Sequence, residues 1–183
     1  DVDRMADAAR MAEDAGADIV DINSGCPVPK VVKKGGGCEL MRQPEHLERI
    51  LRAVKRAISV PLTLKIRAGW DEKNLNAPEI ARMAESEGVS MLAVHGRTRV
   101  QLYRGEADWQ IIESIAEQLS IPVIGSGDIV SVESARRRQH SAVRGLMIGR
   151  AALSNPWVFA ELQAGLSGGD FVRPGAVATV DIL

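Results

Sequence analysis

The feature that most narrows what this chain can fold into is a pair of internal echoes. Ala12, Glu13 and Gly16 precede Asn23 at the same offsets at which Ala84, Glu85 and Gly88 precede His95, 72 positions later. A second echo lies 61 positions apart, where Ser59-Val60-Pro61 opens an apolar run over 62–67 and Ser120-Ile121-Pro122 opens another over 123–128. Each echo reads as a helix closed by a glycine or a turn, followed by a short β-branched strand. Val2, Met5, Ala9 and Ala12 have helical spacing over 1–15, and strands are expected over 17–23, 62–67, 123–128 and 145–150 and in the run ending at His95. Helical stretches near 44–58, 77–87, 108–119 and 131–139 separate them. Strands alternating with helices imply a parallel sheet.

Composition limits what such a sheet serves. With 183 residues, 45% hydrophobic and 26% charged, the chain is long enough to bury one domain's core. No apolar run approaches the roughly 18 residues of a membrane span, and no secretory leader opens the sequence, so the expected location is the cytoplasm and no membrane partner is expected. Two cysteines without a C-x-x-C pair, and His46, His95 and His140 scattered, give no basis for a structural metal site. A net charge of -1 exerts no global pull on nucleic acid, so a polyanion would need a local patch. Lys30, Lys33, Lys34 and Arg42 make one candidate, and Arg97, Arg99 and Arg104 another.

The expected strands end on polar residues: Asn23, Lys65 and Arg67, His95 and Arg97, Ser126 and Asp128, and Gly149 with Arg150. In a (β/α)8 barrel these ends form one rim, which is the active face, and the loops after the last strands commonly cradle phosphate. An open doubly wound sheet also binds at its strand ends, but its Gly-x-Gly-x-x-Gly turn is missing after the first strand, so the barrel is preferred. Gly125-Ser126-Gly127-Asp128 and Gly149-Arg150 are each a plain turn when taken singly and a phosphate site when taken together. Lys65 suits a Schiff base, a contact to an anionic or carbonyl-rich ring, or a structural ion pair. His95 suits either a ligand contact or a structural role. Cys26 lies in a rim loop, where a mostly protonated thiol serves as a general acid, although a small buried hydrophobe is the competing reading. Cys38 has no comparable setting, and Arg136 to Arg138 read as a solvated helix face.

Taken in order, Asp21-Ile22-Asn23-Ser24-Gly25-Cys26-Pro27 with Lys30, Lys65-Ile66-Arg67, Val94-His95-Gly96-Arg97-Thr98, Ala107-Asp108-Trp109, Gly125-Ser126-Gly127-Asp128-Ile129 and Met147-Ile148-Gly149-Arg150 resemble the tRNA-dihydrouridine synthases over about residues 1–165. The resemblance implies an FMN enzyme reduced by NADPH, which passes a hydride to C6 of a uracil in tRNA while a cysteine protonates C5. Cys26 matches the proton donor. Lys65 and His95 match flavin contacts, and Ser126, Gly127, Asp128, Gly149 and Arg150 match the phosphate-side loops. Asn23 and Arg67 match positions near the substrate ring and the flavin. Ser126 stands where the family usually has asparagine. A base reached in this way must be unstacked and flipped toward the flavin. The alternatives are another FMN barrel acting on a free pyrimidine, of the dihydropyrimidine or dihydroorotate type, and an inactive fragment.

Size sets a further expectation. Five units between residue 17 and Arg150 average about 27 residues each, so eight would need roughly 215, against the 183 in this chain. A truncated barrel is therefore expected, with residues 1–165 as the FMN-binding part and 166–183 leading toward a helical domain. The family's opening Ala-Pro-Met strand, its glutamine-bearing strand and that helical domain have no counterpart here. Open sheet edges make self-association the expected behaviour of such a chain, and activity on its own is not expected.

Overall fold

The computed structural model describes residues 1–139 and 142–174. Among these, 1–127 with 142–147 form one compact unit, and 128–139 with 148–174 form a second. His140 and the end of the expected 166–183 segment lie outside the described residues.

The first unit runs α1 (Val2–Asp14), β1 (Val20–Asn23), α2 (Pro29–Val32), a 3-10 helix (Gly37–Arg42), α3 (Pro44–Ala57), β2 (Leu62–Arg67), α4 (Ala77–Ser86), β3 (Met91–His95), α5 (Trp109–Gln118), β4 (Val123–Ser126) and β5 (Gly145–Met147). The five strands are all parallel and lie in chain order, β1-β2-β3-β4-β5. Sequential parallel order without a reversal is the arrangement of consecutive units in a (β/α)8 barrel rather than of a doubly wound sheet. The helices form where expected because their apolar residues recur on one face. In α3, Leu47, Ile50, Leu51 and Val54 are all buried.

The strands are shorter than their apolar runs. β1 begins at Val20 rather than residue 17, β4 stops at Ser126, and β5 stops at Met147. At β4 the reason is local: Gly127 and Asp128 adopt φ of 128° and 57°, which turns the chain out of the sheet.

Alternation along the strands gives the sheet two unlike faces. Ile22, Leu62, Leu64, Ile66, Leu92 and Val94 are buried, in step with the apolar faces of the helices. Fully burying each such side chain contributes about 1.5–3 kcal/mol. The alternate positions are Asp21, Asn23, Thr63, Lys65, Arg67, Ala93, His95 and Ser126, with Met91, Ile124, Gly145 and Met147 as the apolar members at the strand starts and on the β4–β5 side. Parallel strands are usually apolar on both faces, so a polar second face marks where function resides.

In the second unit, α6 (Val132–Gln139), α7 (Ala151–Ser154) and α8 (Val158–Leu166) pack around Ala135, Val158 and Leu162. Arg136 Nη2 donates to Gly165 O at 2.7 Å, so the arginine run includes a tie between α6 and α8 as well as exposed charge. No helix among the described residues is long and apolar enough to cross a membrane.

Candidate active site

The strand register aligns the polar positions in two rows. Asn23 is opposite Lys65, which is opposite Ala93. Two residues further along, Arg67 is opposite His95, which is opposite Ser126. Lys65 therefore shares the face of Arg67 and not the helix-packed face, which resolves the direction that its apolar flanks left open. Its ammonium has no hydrogen bond or ion pair among the described residues. Burial, reinforced by the positive charge of Arg67, pushes its pKa below the ordinary lysine value, against a weaker opposing pull from Asp21.

Arg67 is almost fully buried and organises the loops above the strand ends. Its Nε donates to Gly25 O at 3.0 Å, and its Nη1 donates to Thr98 O at 3.0 Å and Leu102 O at 2.9 Å. The Tyr103 ring lies 5.7 Å from its guanidinium carbon. Burial lowers the Arg67 pKa, yet a guanidinium stays protonated at neutral pH. One side chain thus joins the loop after β1 to the loop after β3 and leaves Nη2 without a partner among the described residues.

Cys26 sits in the loop tied down by Arg67. Asn23 Oδ1 accepts from Gly25 N–H at 3.0 Å, and Ser24 N–H donates to Lys65 O at 2.8 Å, so the chain leaves β1 in a fixed turn. Ser24 Oγ is buried with no partner among the described residues. Cys26 is half-buried, and its carbonyl accepts from Cys38 N–H at 2.9 Å. Cys38 is fully buried, and burial raises its thiol to about 11. The two cysteines therefore have different settings. Gly37, at φ of 56°, has room for no side chain, because a Cβ there would lie 2.4 Å from Cys26 O. The glycine run before Cys38 thus lets the 3-10 helix close against the Cys26 loop.

The 107–109 motif supports β4 from below. Asp108 caps α5 by accepting from Gln110 N–H at 2.9 Å, and Trp109 Nε1 donates to Gly127 O at 3.0 Å. A Cβ on Gly125 would lie 2.4 Å from the Trp109 ring, which explains the glycine there. His95 Nε2 is 3.7 Å from where a Gly127 Cβ would stand, so the imidazole and the Ser126-Gly127 turn are neighbours.

Asn23, Cys26, Lys65, Arg67, His95, Ser126 and Gly127 belong to the first unit, whereas Asp128, Gly149 and Arg150 belong to the second. There, Arg150 Nη2 meets Asp128 Oδ1 at 3.3 Å, both partly exposed. Sequence reasoning passed over Trp70 and Tyr103. Their signal was rarity: aromatic residues make up 3% of the chain, and these two lie in the rim loops with arginines over their rings.

Fold and site together define a barrel-type α/β chain with a polar, cation-bearing rim at its strand ends. A solved structure of a Salmonella enterica serovar Typhimurium protein, provisionally described as a dehydratase, aligns at a TM-score of 0.67 with 14% identity, over 98% of this chain and 46% of that one. That likeness concerns the fold alone. The chain belongs to the dihydrouridine synthase family, whose model matches residues 1–177. It is 49% identical to tRNA-dihydrouridine synthase B of Pseudomonas syringae pv. tomato, over 89% of this chain and 49% of the relative. The protein of the same name from Vibrio cholerae is 49% identical over 87% and 50%, and that of Pseudomonas putida 48% over 93% and 51%. The chain spans about half the length of the curated relatives it matches.

Proposed function

We propose that this chain carries the uridine-reducing rim of an FMN-dependent, NADPH-linked tRNA-dihydrouridine synthase of the cytoplasm. The observation that carries the reading is the pair of aligned rows, Asn23 with Lys65 and Arg67 with His95 and Ser126, beneath a loop that presents Cys26. Lys65 supplies the test of fit. A partly buried ammonium without a protein partner is costly, and an anionic, carbonyl-rich ring such as the flavin offers what it lacks. Lys65 and His95 would hold that ring, and the Ser126-Gly127 turn would offer backbone N–H groups to its phosphate side. In the second unit, taken by itself, Gly149 and Arg150 beside Asp128 are proposed as phosphate contacts on the family resemblance alone. When bound, FMN supplies the hydride.

The protein residues do the rest. Asn23 and the free Nη2 of Arg67 orient the uracil. The Sγ of Cys26 holds the proton delivered to the ring carbon, and Arg67 fixes the Cys26 loop through Gly25 O. Cys38 takes no part, because its side chain is fully buried, away from any substrate, and its backbone serves the loop.

Cys26→Ala is the direct test. Flavin reduction by NADPH should stay near wild type while dihydrouridine formation in unmodified tRNA falls about 10²- to 10⁴-fold. Equal rates of dihydrouridine formation in both proteins would remove Cys26 from the role of acid. Turnover of free uracil at the expense of tRNA would instead favour a small-molecule reductase.

A further inference from the structure

Two consecutive rim loops, after β1 and after β2, enclose a cavity of about 310 Å³ that the proposed reaction does not use. Met41, Arg42, Trp70, Asp71, Asn74 and Asn76 line it. Its walls are held in place by their own hydrogen bonds. Trp70 N–H donates to Asn74 O at 3.0 Å, and Asn76 Nδ2 donates to Met41 O at 2.7 Å. Asp71 Oδ1 accepts from Lys73 N–H at 3.0 Å and Asn74 Nδ2 at 2.7 Å. These bonds use both amide donors and one carboxylate oxygen. Asp71 Oδ2, Asn74 Oδ1 and Asn76 Oδ1 have no hydrogen bond among the described residues.

The cationic side of the cavity is also prearranged. The Arg42 guanidinium lies over the Trp70 ring at 4.5 Å, and Arg99, from the loop after β3, lies over the same ring at 4.9 Å. Arg99 Nε is buried with no hydrogen-bond partner among the described residues. Arg42 Nη1 also reaches Glu39 Oε1 at 3.4 Å and Oε2 at 3.3 Å, long contacts from a half-exposed guanidinium that leave its Nε and Nη2 for a ligand. A guanidinium held over an indole ring has its position fixed by the aromatic face and can still turn N–H groups toward a planar or tetrahedral anion. Over 24–43, 68–76 and 96–108, the three loops carry eight Lys or Arg against five Asp or Glu, in a chain whose net charge is -1. That excess runs along several loops, which suits a strand with repeating charge better than a compact anion.

One fixed cation, three spare acceptor oxygens and room for a single small ligand match a ribose phosphate: the phosphate pairs with the guanidinium and the sugar hydroxyls donate to the oxygens. We propose that this cavity holds the ribose phosphate of an unpaired nucleotide next to the target base, with Arg42 on the phosphodiester and Asp71 nearest the ribose hydroxyls. The inference rests on the reading of the chain as part of a tRNA-modifying enzyme.

The test titrates unmodified tRNA, and a single-stranded RNA and DNA of one sequence, across a salt series, with FMN and NADPH titrated alongside. Arg42→Ala should weaken tRNA binding about tenfold near 0.1 M salt and lower the salt slope by about 1, with FMN affinity unchanged. Arg42→Lys should restore the slope and only part of the affinity. Asp71→Asn, which retains Oδ1 and changes the second oxygen, should narrow the RNA-over-DNA preference several-fold without a loss of thermal stability. If the wild type binds tRNA and all three variants match it, the cavity inference is wrong and the functional reading stands. Weakened NADPH binding with unchanged tRNA binding would reassign the cavity to the dinucleotide. A wild type that binds neither FMN nor tRNA would sink the functional reading, and this inference with it.

Discussion

At the scale of single residues, Lys65 is the clearest case of a side chain held against its own stability. Its ammonium is partly buried, Arg67 is a like charge on the same face, and nothing among the described residues pairs with it. A lysine whose folded pKa is below its unfolded value makes the unfolded chain the stronger proton binder, so stability rises with pH between the two values. Lys65→Met should therefore raise the thermal midpoint of the ligand-free chain at pH 7 and flatten that alkaline rise. The same variant should weaken FMN binding roughly tenfold or more, since a charge-assisted bond contributes about 1.5–3 kcal/mol. Calorimetry and a flavin fluorescence titration read the two effects. A variant that loses stability and keeps FMN affinity would make Lys65 an ordinary structural residue. The sequence already put Lys65, His95 and Cys26 at strand ends, because short apolar runs announce where strands stop. It could not say that Arg67 holds the Cys26 loop, because that contact joins residues 42 apart through backbone carbonyls, which leave no trace in residue type.

At the scale of elements, the internal echoes turn out to be one clamp used twice. Glu13, at the end of α1, accepts from Ser59 N–H, Ser59 Oγ and Val60 N–H, just before β2. Glu85, in the last turn of α4, accepts from Ser120 N–H and Oγ and from Ile121 N–H, just before β4. Each carboxylate thus satisfies the backbone of a strand entrance. Val20 N–H then donates to Pro61 O, and Leu92 N–H to Pro122 O, both at 3.0 Å. The two halves of each motif were visible in the sequence, but their pairing was not, because Glu13 and Ser59 belong to different echoes. The serine hydrogen bonds hold both carboxyls below the ordinary carboxylate value. Groups with depressed folded pKa values contribute stability above the unfolded pKa and lose it as pH falls through the folded one. We expect Glu13→Gln with Glu85→Gln to lower the thermal midpoint at pH 7, where the wild-type carboxylates are ionised and a neutral amide is the weaker acceptor. The double variant should also lack part of the acid decline expected of the wild type, so that the two midpoint curves converge as pH falls below about 4.5. Superimposable midpoint-against-pH curves would mean that the clamps do not couple to protonation.

At the scale of the whole molecule, the division into two units predicts how the chain opens. Leu62, Leu64, Leu92 and Val94 of the first unit have no solvent exposure, as do Leu47, Leu51 and Ile112 in the helices beside them. The second unit's buried apolar side chains are Ile129, Ala135, Val158 and Leu162, while Leu153, Phe159 and Val172 stand largely exposed. Less apolar burial per residue means a smaller free energy to open, and regions of this kind exchange their amides through partial unfolding rather than through the global transition. Native-state hydrogen exchange should therefore find the β2 and β3 amides the slowest, with protection that tracks global stability as denaturant rises. The amides of α6 and α8 should exchange faster and merge with the global limit only near the unfolding midpoint. Calorimetry should agree, with a calorimetric enthalpy above the van't Hoff value, because two units of unequal stability do not melt as one. The Arg136 bond to Gly165 O ties α6 to α8, so Arg136→Ala should speed exchange in both helices and leave β2 and β3 unchanged. If α8 proves as protected as β2, or if Arg136→Ala loosens the strands as much as the helices, the chain opens as a single cooperative body and the division is one of contacts alone.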